Sequence, residues 1–374
     1  TLMTNKKFNK PIYVIIGTRA QFIKMAPFLR KLMDQNIDYS LIYTAQHQED
    51  IDEILELYQL PPADIVIFEH GEAKTKASFI YWFFTLITRI LLKSKTYLPT
   101  PGFVMTHGDT FTAWMAALMG KIAKCKVCHV ESGLRSFNLF SPFPEEISRL
   151  ITFTLSDIYF CPNQTAIDNL KNFKGLKVNT EANTLLDGVR YALRKTEKTF
   201  FAFQKSPYVM VSLHRFENIF TSRFTDHIIP LLKNIANKFT LIFTLHPATR
   251  EQLHKLDLFD ELEKDQNIIL HERFNFVDWI SACNKAEFVI TDGGSNQEEL
   301  SYLGVPTMLF RHETERDEGL GDNIIITKFD TELINSFLNI YPNLRKDHPL
   351  PDFSPSQIII ETLYQLSKET YFIL

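Results

Sequence analysis

Residues 288–306 read FVITDGGSNQEELSYLGVP, and the fold turns on how that stretch is read. Phe288 to Thr291 is a short apolar, β-branched run, the composition of a buried parallel strand. Asp292-Gly293-Gly294-Ser295 breaks it, Asn296 to Leu303 then reads as helix, and Gly304 and Pro306 end that helix. The glycines let backbone N–H groups approach a ligand, and the helix end adds partial positive charge, so the turn suits a phosphate. Glu298 and Glu299 sit one turn in, where one of them could accept hydrogen bonds from a ribose. A connection that needs glycine only for steric reasons reads the same way, and the rest of the chain has to decide.

Moving outward, the same order of strand, turn and helix recurs. Tyr13–Ile16 is a strand, followed by Gly17-Thr18-Arg19 and a helix from about Gln21 to Asp34. Arg19 and Lys24 therefore stand at, and one turn beyond, another anion-friendly turn. A single glycine there excludes the dinucleotide fingerprint, and Lys24 taken alone reads as a solvated helix lysine. Phe103-Val104-Met105 leads into Thr106-His107-Gly108-Asp109-Thr110, and Val127–Val130 delivers Glu131-Ser132-Gly133-Leu134-Arg135. Asp109 and Glu131 thus lie at the C-terminal ends of strands, the edge where open α/β sheets bind ligands. Ser141-Pro142-Phe143-Pro144-Glu145-Glu146 is a proline-stiffened loop that places a third carboxylate at the start of helix Ile147–Leu155. Three acids so placed suit proton transfer at carbon, although helix capping and turn hydrogen bonding also use such residues.

Lys174–Thr184 is polar and irregular and reads as the linker to a second α/β series. That series begins with Tyr208–Leu213 and runs into His214-Arg215-Phe216-Glu217-Asn218, with a long helix expected from about Arg223 to Lys238. Strand Leu241–Thr244 ends in His246-Pro247. Strand Ile268–Leu270, the aromatic loop Phe274-Asn275-Phe276 and helix Val277–Ala286 then lead to the glycine turn. Two strand-end histidines without zinc spacing suit a leaving group better than a metal.

With 374 residues there is chain enough for about two domains, and 45% apolar with 22% charged residues is an ordinary soluble composition. A net charge of −4 gives no electrostatic reason to expect nucleic acid. The opening TLMTNKKFNK lacks the apolar stretch of a secretory leader, so a cytoplasmic location is expected. The longest apolar run, Ser78–Leu92, carries Arg89 and is short for a membrane span, so a place between domains or subunits is expected, and with it a homodimer. Cys125-Lys126-Val127-Cys128-His129 spells the c-type haem attachment pattern, but inside a strand its side chains three apart point to opposite faces. All four cysteines read as reduced core thiols.

Gly17-Thr18-Arg19…Lys24-Met25-Ala26-Pro27, His107-Gly108-Asp109-Thr110, His129-Val130-Glu131-Ser132-Gly133-Leu134-Arg135 and Pro144-Glu145-Glu146 stand in one order. His214-Arg215…Glu217-Asn218, Gln297-Glu298-Glu299 and Thr314-Glu315-Arg316 follow them. Carrying these motifs, the chain resembles the bacterial UDP-N-acetylglucosamine 2-epimerases from roughly Pro11 to Ile326. The resemblance implies a GT-B-like α/β fold: two Rossmann-like, doubly wound parallel-sheet domains, about 11–178 and 185–350, facing a cleft, with a C-terminal helix (354–371) returning to the first. It implies interconversion of UDP-GlcNAc and UDP-ManNAc through a 2-acetamidoglucal intermediate, without NAD, metal or other cofactor. Asp109, Glu131 and Glu145 take the acid/base positions and His214 faces the diphosphate. The substrate-binding positions fall on Arg19, Lys24, Arg135, Arg215, Phe276, Gly293, Gly294, Ser295 and Glu299. The implied product supplies surface polysaccharide precursors.

The chain departs from the family's pattern at four places. Ala20-Gln21 stands where the family has Pro-Glu, and Phe216 replaces an arginine. Asp292-Gly293-Gly294-Ser295-Asn296 replaces Asp-Ser-Gly-Gly-Ile, moving the hydroxyl along. The family's Gln-Gly-Leu segment tied to allosteric binding has no clear counterpart around residues 70–75. A hydrolysing 2-epimerase and a GT-B glycosyltransferase therefore stay open as alternatives.

Overall fold

The computed structural model describes residues 8–44, 51–67, 76–138, 144–195, 207–314, 316–347 and 349–368, with the side chains of 76–80 and 82 excepted. Residues 1–7, 70–75, 141–143 and 369–371 and Glu315, all named above, lie outside the described residues. The chain divides into two compact units, residues 1–188 with 352–374, and residues 189–351.

The first unit is built on seven strands: β1 (Ile12–Ile16), β2 (Ser40–Tyr43), β3 (Ile65–Val66), β4 (Phe103–His107), β5 (Lys126–Val130), β6 (Ile158–Cys161) and β7 (Leu176–Asn179). They lie in the order β3-β2-β1-β4-β5-β6-β7, every neighbouring pair parallel. The second unit has six: β8 (Tyr208–Ser212), β9 (Thr240–Leu245), β10 (Ile268–Glu272), β11 (Val289–Thr291), β12 (Thr307–Leu309) and β13 (Ile324–Ile326). Their order is β10-β9-β8-β11-β12-β13, again all parallel. Every residue of β1, β4, β8 and β11 is buried, as sheets covered by helices on both faces require. This is the expected GT-B-like class, two Rossmann-like α/β units. The strand order reverses between β1 and β4 in the first sheet and between β8 and β11 in the second. Ligand sites in such sheets form at that reversal, beyond the strands' C-terminal ends.

One expectation needs correction. Lys174–Thr184 is not a linker: Leu176–Asn179 pairs with β6 as the edge strand, and its polarity reflects half-exposure at that edge. The expected long helix at 223–238 is present as a continuous helical run over 222–236, with a π-helical turn, Phe224–Ile228, ahead of its segment Ile229–Ala236. Pro230 has no N–H to continue the ladder, and the wider turn absorbs that gap. Helix Lys76–Tyr97 buries Leu86, Ile90 and Ser94 along one face but leaves Tyr81, Phe84, Leu91 and Leu92 exposed, so it is not covered all round within this chain. Among the described residues no helix is long and apolar enough to cross a membrane.

Helix Pro355–Lys368 closes the first unit. Asp187 accepts hydrogen bonds from Ser354 Oγ (2.9 Å) and the Ser356 N–H (2.8 Å) at its start. Lys31 of helix Arg19–Asp34 and Gln35, which caps its C-terminus, donate to Ser354 (2.8 Å) and Gln357 (2.7 Å).

Candidate active site

At the reversal of the first sheet, β1 runs into Gly17-Thr18 and helix Arg19–Asp34. A Cβ on Gly17 would lie 2.0 Å from Thr112 Oγ1, so only glycine fits there. Thr18 caps the helix in a box with Gln21, whose Oε1 accepts from the Gly17 (3.0 Å) and Thr18 (3.2 Å) N–H groups. Gln21 Nε2 also donates to the His107 carbonyl at the end of β4 (2.7 Å). The amide at this departure position thus ties β1 to β4 with a donor that a carboxylate lacks.

One turn into the same helix, Lys24 is buried and not the solvated lysine its sequence allows. Its Nζ lies 2.6 Å from Glu131 Oε1, with the two side chains 8% and 7% exposed. Asn183 Nδ2 donates to the same oxygen at 2.5 Å, and His107 Nε2 lies 3.4 Å from Oε2. Glu131 itself has φ +59°, a left-handed conformation that costs a non-glycine residue on the order of 1–2 kcal/mol. Strain of that kind concentrates at functional sites. Gly108 faces it at φ +68°, where a Cβ would sit 3.5 Å from Glu131 Oε2.

Asp109 is held by Arg149 Nη2 at 2.6 Å and is the more open carboxylate, 30% exposed. Arg149 comes from helix Glu145–Leu155 and also meets Glu146 Oε2 at 3.3 Å. Glu146 is fully buried and receives Arg135 Nε and the Ser136 N–H. Burial pushes its carboxyl up, but Arg135, Ser136 and Arg149 together outweigh that and hold it below the usual range. Arg135, expected to bind substrate, is therefore turned onto Glu146. Glu145 differs from the other acids: its buried Oε2 accepts no hydrogen bond among the described residues. Arg19, the other expected phosphate ligand, pairs with Glu53 at 2.7 Å.

At the reversal of the second sheet, β8 runs into His214 and β11 into Asp292. Asp292 is completely buried and accepts from the N–H groups of His214 (3.1 Å) and Arg215 (2.9 Å) and from Asn218 Nδ2 (2.9 Å). His214 Nδ1 lies 3.2 Å from Asp292 Oδ1, and its ring stacks on His246 at 4.3 Å. Burial lowers the His214 pKa; Asp292 opposes that without cancelling it. The two strand-end histidines are thus one stacked pair. Arg215 Nη1 reaches Glu217 at 3.3 Å.

Helix Gly294–Leu303 begins two residues earlier than its sequence indicates, with Gly293 as its N-cap and Ser295 in its first turn. A Cβ on Gly293 would lie 2.6 Å from Asn296 Oδ1. Beside Gly294 stand two guanidinium groups, with Arg316 Nε 3.5 Å and Arg311 Nη1 3.8 Å from the place of a Cβ. Two cations at the positive end of a helix dipole make an environment for an anion. Arg316 also meets Glu298 Oε2 at 2.8 Å, so Glu298 serves the arginine. Glu299 Oε2 accepts from Trp279 Nε1 (2.8 Å) and Asn296 Nδ2 (3.0 Å). Phe276 opens helix Phe276–Lys285 with its ring buried, so what it can offer a ligand is its backbone. Among the described residues no His, Cys, Asp or Glu group could hold a metal ion, and all four cysteines are free and buried.

A family model described as UDP-N-acetylglucosamine 2-epimerase matches residues 30–345. The chain belongs to that family. It is 33% identical over 342 residues to a UDP-N-acetylglucosamine 2-epimerase of Methanocaldococcus jannaschii, covering 86% of this chain and 90% of that protein. It is 29% identical over 383 residues to one from Neisseria meningitidis serogroup A, covering 94% and 98%. The crystal structure of a Neisseria meningitidis UDP-GlcNAc 2-epimerase bound to UDP-GlcNAc matches with a TM-score of 0.81 at 28% identity, over 95% of this chain and 100% of that one. The Methanocaldococcus jannaschii enzyme in complex with UDP-GlcNAc and UDP matches at 0.77, also 28% identical, over 95% and 99%. The chain is thus an isomerase of the 2-epimerase kind.

Sequence reading missed Arg149, Asn183, Arg311 and the anchoring role of Asp292. Arg149 carried a signal, since it stands three residues after Glu146 on a helix that opens with two acids. Asn183 lies in a polar, irregular stretch that reads as a linker, and Arg311 follows a strand with no glycine to mark it.

Proposed function

We propose that this chain interconverts UDP-GlcNAc and UDP-ManNAc by elimination and re-addition of UDP. Residues 1–188 supply proton transfer and residues 189–351 hold the UDP. A carboxylate takes the C2 proton while the C1–O bond breaks, its electron pair leaving with UDP and a C1=C2 double bond forming. UDP then adds back to C1, and C2 is reprotonated on the opposite face. The observation that carries this reading is the set of acids at one sheet reversal: Glu131 beside Lys24, Asp109 beside Arg149, and Glu145 with an oxygen left for a ligand. Proton removal beside an acetal carbon needs positioned carboxylates, and a departing diphosphate needs fixed positive charge. His214, Arg311, Arg316 and the N-terminus of helix Gly294–Leu303 are suited to the second task. Ser295, Glu299 and the Phe276 backbone are assigned to the rest of the nucleotide, and Arg19 to the diphosphate once it exchanges Glu53 for the ligand.

The test is proton NMR of the protein with UDP-GlcNAc in D2O. The expected result is deuterium at C2 together with UDP-ManNAc. Free UDP with free sugar would move the reaction to the hydrolysing type, and an intact sugar passed to an acceptor without C2 exchange would make it a transferase. A cytoplasmic homodimer in polysaccharide precursor supply accompanies this proposal. The exposed apolar residues of helix Lys76–Tyr97 support the dimer, and sedimentation of a monomer at working concentration would refute it.

A further inference from the structure

The pentad Cys125-Lys126-Val127-Cys128-His129 spells a haem attachment pattern, and its last residue stands at the centre of the candidate site. His129 lies on β5 opposite Thr106 of β4, and its ring is 1% exposed. Nε2 is 2.7 Å from the carbonyl oxygen of Gly108, the residue before Asp109. A carbonyl only accepts, so Nε2 carries the proton and donates it. Nδ1 is then the acceptor for the Ser132 hydroxyl, 2.9 Å away, and Ser132 is the residue after Glu131. The face of the ring meets Phe153, with centroids 5.5 Å apart. Phe153 belongs to helix Glu145–Leu155, which carries Glu145 at its first position. One imidazole thus touches all three segments that bear the candidate acids.

We propose that His129 is the positioning residue that fixes Asp109, Glu131 and Glu145 relative to one another. It contacts no reacting atom; it sets where the reacting groups stand. The turns it ties lie outside regular strand: Gly108 and Glu131 both have left-handed φ, and each follows the last residue of its strand ladder. Burial lowers the pKa of the ring to about 4, so at neutral pH it keeps the single N–H and the single acceptor that this bridge needs.

The inference rests on the epimerase reading, and the experiment separates the two. Wild type, His129→Phe, His129→Gln and Ser132→Ala are compared for kcat and KM with UDP-GlcNAc and for C2 deuterium exchange. All rates are expressed per UDP-binding site counted by titration, which removes the contribution of misfolded protein. His129→Phe fills the space without a donor or acceptor and is expected to lower kcat per site by roughly 10²-fold, the effect of misplacing a reacting group by about 1 Å. KM and UDP affinity are expected to stay within about threefold, because bound nucleotide does not depend on the relative placement of the acids. His129→Gln, which offers one donor and one acceptor, should recover about tenfold of that loss, and Ser132→Ala should cost about five- to tenfold. The inference is overturned if His129→Phe keeps kcat per site within about threefold of wild type, if the loss falls equally on UDP affinity, or if Gln recovers nothing. Should His129→Phe fail to fold, an unchanged kcat in Ser132→Ala overturns it. Wild type that shows no C2 exchange overturns the epimerase reading and this inference together; equal exchange by wild type and His129→Phe overturns the inference alone.

Discussion

The first unit answers Glu131, Asp109 and Glu146 at the sheet reversal with cations or buried donors, Lys24 and Asn183 on Glu131, Arg149 on Asp109 and Glu146, Arg135 on Glu146, and leaves an oxygen of Glu145 without a hydrogen bond among the described residues. The second unit, at the equivalent reversal, uses the completely buried Asp292 differently. Asp292 is turned onto the His214 and Arg215 N–H groups, and beside it stand His214, a glycine turn and two arginines, of which Arg316 pairs with Glu298. The sheets share parallel pairing and the same kind of strand order. The chemistry at the two reversals comes from which charges the loops carry and which of them the loops neutralise. Acids held in place by buried partners can exchange a proton without wandering, and fixed positive groups at a helix N-terminus can hold an anion.

The largest effect should come from dissolving this division in the first unit. Glu131→Gln should lower turnover by about 10²- to 10⁴-fold while UDP affinity, read by calorimetry, stays near wild type. Lys24 would lose its buried counter-charge, so the stability of the variant should fall and recover in the double variant with Lys24→Met, whereas turnover should not. A parallel loss of UDP affinity would mean the two units do not divide the work.

Asp292→Ala is the matching change in the second unit. It strands the His214 and Arg215 N–H groups and Asn218 Nδ2, at a cost on the order of 4 kcal/mol in stability. UDP affinity should fall with it, because His214 and the turn before Gly294 lose their common anchor. Urea denaturation and calorimetry would read the two effects. Unchanged affinity would remove the anchoring role.

Much of this comparison is legible in the sequence. Asp109, Glu131, His214 and the 292–295 turn each follow an apolar run, and an apolar run followed by a polar residue and glycine announces a strand end. The second half of each pairing is not legible. Arg149 and Asn183 are 40 and 52 residues from the acids they hold, and nothing local marks them as partners. Lys24 shows the cost: by itself it reads as solvated, and only the packing of helix Arg19–Asp34 against the strand ends buries it. The edge strand β7 hid for the opposite reason, since half-exposed positions accept the polar residues that usually signal a loop. The haem-like pentad stands out by its spacing, whereas its histidine matters for its place on β5.

Acid should strike the first unit through His129. Its pKa falls from 6.5 to about 4, burial being the main cause, opposed by the Gly108 hydrogen bond and by the charges of Asp109 and Glu131, and reinforced by Arg149. The folded pKa is below the unfolded one, so the unfolded chain takes up the proton first. Stability is therefore complete above about pH 6.5 and is lost as the pH falls toward about 4, by about 3 kcal/mol. Glu146, held below the usual range, acts in the same direction, but below its ordinary value of 4.5. Urea titrations between pH 4 and 7 should show a shallower slope in His129→Gln than in wild type. An identical slope would show that His129 is not buried neutral.

The smallest expected effect tests whether the positive rim is confined to the second unit. Arg19 is the first-unit cation assigned to the diphosphate, and it pairs with Glu53, a half-exposed carboxylate, at 2.7 Å. A pair open to solvent contributes less than about 1 kcal/mol after screening, so Glu53→Gln should leave stability almost unchanged. If Arg19 exchanges Glu53 for the ligand, the variant removes a competitor, and UDP affinity should rise by about two- to fivefold at low salt and less at high salt. Arg19→Gln should lower affinity in the same assay. If Glu53→Gln and Arg19→Gln both leave affinity untouched, Arg19 belongs to the structure of the first unit, and anion binding rests on the second unit alone.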